Sequence, residues 1–164
     1  MKISFEKLGL SIDELKKFDR TNPYNVAALF INIICDYSNT DKFNEKLQYL
    51  MGDFQPISNL MKSQIKDRMM QNNKYKFIGK SYFKGANPEN DYTPSEPYEV
   101  EFFENDYSRE EEGFVKLWVN SGGADNARFI TVRLAKDGNY YVWGDSFMGL
   151  LADIRKKESE NPWA

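Results

Sequence analysis

The stretch Asn22-Pro-Tyr-Asn-Val-Ala-Ala-Leu-Phe-Ile-Asn-Ile-Ile-Cys35 decides the fold, because it is apolar on nearly every side. Asn22 and Pro23 supply the N-cap and first-turn proline that open a helix, and the apolar run continues to Tyr37. A helix without a polar face is normally covered all round by other elements. We therefore expect this helix to be the central one.

Further helices are predicted on both sides of this central stretch. Ser11 and Glu14 have the spacing of a capping box, and Thr40 can cap a helix that Gly52 ends. Asp145 or Ser146 can cap a short C-terminal helix. The predicted helices are residues 12–18, 23–37, 40–52, 56–71 and 147–154.

After Asn72-Asn73 the apolar period changes to two, which predicts strands. Asp137-Gly138 predicts a two-residue type I′ hairpin turn, which pairs Leu134 with Tyr141. The predicted strands are 75–83, 98–104, 114–120, 129–135 and 140–143. Helices followed by strands indicate an α+β fold, with N-terminal helices packed on one face of a bent, roughly five-stranded antiparallel sheet and a short C-terminal helix.

We find no linker, so we expect residues 1–164 to form a single domain. It divides into an N-terminal arm with a short helix (1–21), helices (22–72), the antiparallel sheet (73–144), and a short helix with a tail (145–164).

The composition argues against several kinds of chemistry. The 164 residues include no histidine and one cysteine, Cys35, which removes the commonest general base and metal ligand. Ser63 and Lys66 match the Ser-x-x-Lys pattern of acylating enzymes, but the Lys-Thr-Gly motif is missing, so a solvated helix face is favoured. We therefore assign no catalytic residue, no metal ligand and no cofactor.

Charge and hydropathy limit the partners. The net charge of −3 and the pI near 5.2 argue against nucleic acid. The longest apolar stretch, 26–35, is too short to span a bilayer, and the N-terminal residues lack a signal peptide's apolar run. We therefore expect no nucleic acid and no membrane as partners, and a cytoplasmic location.

The strand pattern also predicts an aromatic sheet face. If Val115, Leu117 and Val119 face the core, Phe114 and Trp118 point to the other side. The predicted hairpin adds Phe129 and Tyr140 to that side. Either other elements cover this face or it is an interaction surface. The interaction-face candidates are Phe114, Trp118, Phe129 and Tyr140.

Several motifs resemble an uncharacterised bacterial family of small domains of unknown function, commonest in Firmicutes including gut Clostridia. They are Asn22–Leu29, Ser81-Tyr-Phe-Lys-Gly-Ala-Asn-Pro-Glu-Asn-Asp-Tyr-Thr-Pro94, Glu104-Asn-Asp-Tyr-Ser108, Ser121-Gly-Gly-Ala-Asp125 with Arg128, Ile154-Arg155 and Asn161-Pro-Trp163. The chain departs from the family pattern at Gly144 and Lys157, where glutamate and proline are expected. The resemblance implies no activity, substrate or cofactor.

The resemblance directs attention to two polar loops, 85–97 and 121–128. We expect them to converge, with Arg128 as a clamp for an anion or carboxylate. The alternative is that their asparagines and aspartates cap turns, and that Gly122 and Gly123 supply positive φ. The ligand-binding candidates are Asn90, Asp91, Tyr92, Ser121, Asp125 and Arg128.

These observations leave the function unknown, and they favour a non-enzymatic binding or protein-interaction module that uses the aromatic face and the two loops. Its partner would be another protein or a second copy of the chain. The alternative is a small-molecule carrier or a histidine-free enzyme with a pocket between helices and sheet.

Overall fold

The computed structural model describes residues 1–38 and 40–163, and its sheet contains five antiparallel strands in sequence order. The sheet is curled into a half-barrel. The strands are β1 (Lys2–Phe5), β2 (Tyr98–Phe103), β3 (Phe114–Val119), β4 (Arg128–Leu134) and β5 (Tyr140–Val142).

Four α-helices and several short 3₁₀ helices accompany the sheet. The α-helices are α1 (Ile12–Leu15), α2 (Pro23–Ile34), α3 (Thr40–Met51) and α4 (Asn59–Met70), and a 3₁₀ helix at Ser146–Leu151 follows β5. The predicted α+β class with helices and an antiparallel sheet is confirmed.

Helix α2 is the central element, as predicted. Its residues from Val26 to Ile34 are buried, and the helix contacts β1, β3, β4, β5 and α3. The helix also buries a polar side chain, Asn32, whose burial is explained by its hydrogen bonds. Its Oδ1 accepts hydrogen bonds from the backbone N–H groups of Gly9 (2.9 Å) and Leu10 (3.0 Å), and its Nδ2 donates to the carbonyl of Lys7 (3.1 Å). Asn32 therefore fixes the chain that leads from β1 to α1.

The predicted strand at 75–83 is wrong. This segment forms 3₁₀ turns (Gln71–Lys76 and Lys80–Tyr82), and consecutive side chains such as Phe77 and Ile78 are both buried. The physical reason is tertiary: a Cβ at Gly79 would lie 2.7 Å from Cys35 Sγ, so the segment passes tightly against α2. The fifth strand is instead β1, in the part predicted as an N-terminal arm, and Ile3 pairs with Val100 of β2.

The predicted hairpin turn is also wrong by one residue. The carbonyl of Ala135 accepts from Gly138 N–H, and Gly138 alone has positive φ (+85°), so the loop has three residues rather than two. Leu134 consequently pairs with Tyr140 rather than Tyr141. Because neighbouring strand residues point to opposite faces, the shift exchanges the two tyrosines between the faces of the sheet.

The other predicted elements differ from the structure mainly at their ends. α1 stops at Leu15, α4 begins after its cap Ser58, and the C-terminal helix is the 3₁₀ helix that ends at Leu151. No helix in the described residues combines the length and apolarity needed to cross a membrane.

Candidate functional site

The two polar loops meet, as predicted, because Gly122 and Gly123 of the second loop lie close against Ala86 and Tyr92 of the first. Gly122 donates its N–H to the carbonyl of Ser81 (2.8 Å), and Ser121 donates its hydroxyl to Ser81 Oγ (2.8 Å). A Cβ on Gly122 would overlap the carbonyl oxygen of Ala86. Neither Gly122 nor Gly123 has positive φ, so the expectation that glycine serves the turn conformation here is wrong. The glycines are required by close approach.

The candidates of the first loop are used within the fold. Asn90 Oδ1 accepts from the N–H groups of Asn87 and Thr93 (both 3.1 Å), and its Nδ2 donates to the carbonyl of Gly85 (2.6 Å). Asp91 and Tyr92 have left-handed backbone (φ +56° and +55°), which is rare for a residue as large as tyrosine.

Tyr92 is held in that conformation by its surroundings. The side chain is fully buried and stacks on the ring of Phe77, with centroids 5.1 Å apart and planes 10° from parallel. Its hydroxyl donates to the carbonyl of Arg155. Burial raises the pKa of Tyr92 to about 12, so this hydroxyl remains a donor throughout the physiological range. Tyr92 thus anchors its loop to the C-terminal segment.

The candidates of the second loop also contact the C-terminal segment. Arg128 donates from Nη1 to the carbonyl of Gly149 (2.8 Å) and from Nη2 to that of Asp153 (2.6 Å). Asp125 forms an ion pair with Arg155 (3.0 Å). The guanidinium of Arg128 therefore binds main-chain carbonyl groups of its own chain, at the position where we expected an anion.

The strongest candidate for a binding surface is the outer face, which we define as the sheet face that points away from α2. The strand register lays its side chains out in cross-strand rows. One row is Phe103–Trp118–Phe129, the next contains Lys116 and Thr131, and the third is Phe114–Arg133–Tyr141.

The cations of the outer face lie over its rings. Lys116 Nζ is 4.4 Å from the centroid of Phe129, and Arg133 Cζ is 4.6 Å from that of Phe114 and 4.5 Å from that of Trp143. Such geometry is typical of cation–π attraction. In residues 1–38 and 40–163, neither cation has a carboxylate within ion-pair distance.

This face is partly exposed: Phe103 and Trp143 each keep 38% of their surface accessible. Trp118 Nε1 is buried and has no hydrogen-bond partner among the described residues. Two open cavities flank Trp143. One, of about 390 Å³, is lined by Phe114 and Lys116 together with two acids, Glu110 and Glu111. The other, of about 360 Å³, is lined by Phe54, Arg133, Lys136 and Tyr141.

Three predicted members of the aromatic face lie on it, and one does not. Phe114, Trp118 and Phe129 are placed as expected, whereas Tyr140 lies on the helix side, because the longer hairpin loop shifts the register. Sequence reasoning missed Phe103 and Trp143. The alternation Val100, Phe102 (buried) against Glu101, Phe103 (exposed) would have indicated Phe103.

The ionised side chains are arranged for pairing rather than for proton transfer. The pKa of Glu104 lies below its usual range, because Arg109 and the hydroxyl of Tyr24 donate to its carboxylate. The pKa of Asp137 is lowered by hydrogen bonds from Tyr141 and Asn139. Within the described part of the chain, no group of three or more acidic or cysteine side chains is placed to hold a metal ion.

Fold and surface together define an α+β protein with a curled antiparallel meander whose outer face carries aromatic rings with the cations Lys116 and Arg133 over them. The chain belongs to the family described as "Domain of unknown function (DUF6935)", which matches residues 7–158. No curated protein and no solved structure matches the chain.

Proposed function

We propose that this protein is a non-enzymatic interaction module, and that its outer face docks a protein segment in which acidic side chains alternate with apolar ones. The observation that carries the proposal is the pairing of Lys116 and Arg133 with rings instead of carboxylates. The chain has a net charge of −3, so a basic aromatic face is a local departure from its overall character.

The arrangement supports an acidic, apolar partner for two reasons. A cation held over a ring keeps its charge available to an incoming carboxylate, and the ring edges beside it offer apolar area. Tryptophan and arginine are also the side chains that most often dominate binding energy at interfaces. The cavity between Phe54, Tyr141 and Trp143 is lined mainly by apolar surface and lies beside Arg133, so it can take an apolar side chain next to a carboxylate bound by Arg133.

A second copy of this chain fits the outer face less well than a different partner does. A two-fold contact would place the same patch of both copies together, so that Lys116 and Arg133 of one copy face the patch that holds these cations in the other, and like charges in an interface repel. We therefore commit to a different protein as the partner.

The test uses the indole N–H signals of the three tryptophans in an NMR spectrum of the ¹⁵N-labelled chain. The probe is an acetylated hexapeptide of alternating glutamate and phenylalanine. The signals of Trp118 and Trp143 should move saturably, whereas that of Trp163, which is 89% exposed in the tail, is an internal reference. The same peptide with lysine in place of glutamate should cause no saturable shift.

The matched variants make the same change of charge on two different elements of the protein, the outer face and α4. The double variant Lys116→Glu with Arg133→Glu should bind the acidic peptide at least about tenfold more weakly. The control, Lys62→Glu with Lys66→Glu on exposed positions of α4, should bind as the wild type does. Three outcomes would each overturn the proposal. The first is an equal loss of affinity in both double variants, and the second is no shift at Trp118 and Trp143. The third is a dimer, detected by light scattering, in whose interface both tryptophans are buried.

We further infer that the chain is a single cooperative domain, because its sequence contains no linker. We infer a source among Firmicutes from the resemblance, and we also infer a cytoplasmic location. One unfolding transition followed by tryptophan fluorescence and by circular dichroism would support the first inference. Fractionation of the source bacterium with an antibody to the chain would test the last.

A further inference from the structure

The segment after the 3₁₀ helix at Ser146–Leu151 lies in a groove between the two polar loops, and a further 3₁₀ helix, Glu158–Glu160, begins near its end. We call residues 153–159 the tail segment, and the groove lined by Tyr92, Gly123, Asp125 and Arg128 the tail groove. Arg155 N–H donates to the carbonyl of Gly123 (2.9 Å), and Ser159 donates to Asp91 (2.7 Å). Both loops therefore contact the same short piece of chain.

The groove binds mainly the backbone of the tail segment. Arg128 donates to the carbonyl of Asp153, Gly123 accepts from the N–H of Arg155, and the Tyr92 hydroxyl donates to the carbonyl of Arg155. Groups that bind main-chain atoms recognise an extended peptide largely independently of its side chains.

Two side chains give the groove a preference. Ile154 is 6% exposed, and a Cβ on Gly123 would lie 2.6 Å from its Cγ2, so a small residue at 123 makes room for it. Arg155 points outward and pairs with Asp125 (3.0 Å). The groove therefore selects an apolar residue followed by arginine.

We propose that the tail groove is a recognition site for extended peptides in which an apolar residue precedes arginine, and that the tail segment is its resident, exchangeable occupant. The tail segment can exchange because Ile154 is the one buried residue among 153–159, and its side-chain hydrogen bonds, apart from the one with the buried Tyr92, are exposed. Segments with few buried apolar contacts open locally without global unfolding. The site is separate from the outer face and does not depend on the function proposed for it.

The experiment uses the full chain with Ile154→Asp, which places a charge in the buried position and releases the tail segment. The probe is a synthetic peptide with the sequence of residues 150–160, titrated into the ¹⁵N-labelled variant. We expect saturable shifts at the backbone amides of Gly123 and Asp125. The wild-type chain should bind the peptide at least about tenfold more weakly, since its own tail competes at an effective concentration in the millimolar range.

Two controls define the specificity. A peptide with glutamate in place of the arginine should bind the variant about tenfold more weakly, because it faces Asp125. Adding Arg128→Lys to the variant should weaken its binding of the unaltered peptide. Lysine cannot donate to the carbonyls of residues 149 and 153 at the same time, as the guanidinium does.

Absence of binding at millimolar peptide, in a variant whose sheet signals are intact, would overturn the proposal. If Ile154→Asp fails to fold, Arg155→Glu replaces it, because Arg155 is exposed. Hydrogen exchange of the unaltered chain is a further check. The amide of Arg155 should exchange faster than the amides of β3 and β4, and equal protection would show that the tail never leaves the groove.

Discussion

Gly123 packs against the phenol oxygen of Tyr92, so closely that a Cβ at position 123 would overlap it. The contact joins two loops that are distant in sequence, and the same oxygen donates to the carbonyl of Arg155. The two polar loops and the tail segment therefore meet at the phenol oxygen of Tyr92. The requirement for glycine follows from this neighbour and not from the backbone angles of the loop.

Gly123→Ala should lower the free energy of unfolding by about 1–3 kcal/mol, since the added methyl group overpacks a buried site. Tyr92→Phe should cost about 1 kcal/mol, because the carbonyl of Arg155 loses its donor. Chemical denaturation of both variants and of the double variant measures the coupling.

The double variant should lose less free energy of unfolding than the two single variants together, because Tyr92→Phe removes the oxygen that the added Cβ would overlap. The control is Gly149→Ala, at which an added Cβ meets no heavy atom within 4 Å. Strict additivity of the two losses would show that the overlap at the Tyr92 oxygen does not carry the cost.

Asn32→Leu should destabilise the protein by about 3 kcal/mol or more. The substitution keeps the number of side-chain heavy atoms but leaves the N–H groups of Gly9 and Leu10 and the carbonyl of Lys7 without partners. Asn25→Leu, on the same helix with one exposed hydrogen bond to Asp19, should cost less than about 1 kcal/mol. Urea denaturation compares the two, and equal losses would contradict the assigned role of Asn32.

Cys35 should react slowly in the folded protein. Burial raises the pKa of its thiol to about 12, so little thiolate is present at pH 8. Carbamidomethylation by iodoacetamide, followed by mass spectrometry, should be on the order of a thousandfold slower in buffer than in urea. Comparable rates would mean that the thiol is accessible beside Gly79.

The carboxylate of Glu104 should make stability depend on acid pH. Its pKa is lowered in the folded state, so the stability it adds is present above its ordinary pKa and is lost as the pH falls through the folded value. Glu104→Gln should therefore show a smaller loss of stability between pH 5 and pH 3 (roughly the window of an unperturbed glutamate) than the wild type.

Denaturation midpoints at both pH values measure this effect. Tyr24→Phe, which removes one hydrogen-bond donor to Glu104, should reduce the slope partially. The control is Glu112→Gln, at an exposed position. If this control also reduces the dependence of the midpoint on pH, the effect comes from the net charge and not from the Glu104 contacts.

The parts of the fold that local pattern determines were predictable. α2 and the alternation of β3 follow from residues that carry their own periodicity, and Val115, Leu117 and Val119 are buried as expected. The segment 75–83 alternates equally well but is turned by Asn72 and Asn73, both at positive φ, and pressed against α2 at Gly79. Its neighbours, not its pattern, decide its structure.

The candidate site shows the same division. Phe114, Trp118 and Phe129 share a face because strand alternation is local, whereas the side of Tyr140 depends on whether the hairpin loop has two or three residues. Asp-Gly occurs in both loop types, and Tyr140 and Tyr141 have the same chemistry, so no residue preference separates the alternatives. The carbonyl partners of Arg128 come from residues 149 and 153, which no spacing in the sequence relates to it.

The rings beneath Lys116 and Arg133 have a kinetic consequence. No acid neutralises these cations at ion-pair distance in the described residues, so their field extends to about a Debye length, roughly 8 Å at physiological ionic strength. If the outer face binds an acidic partner as proposed, this field raises the rate of encounter, and added salt should slow association far more than dissociation.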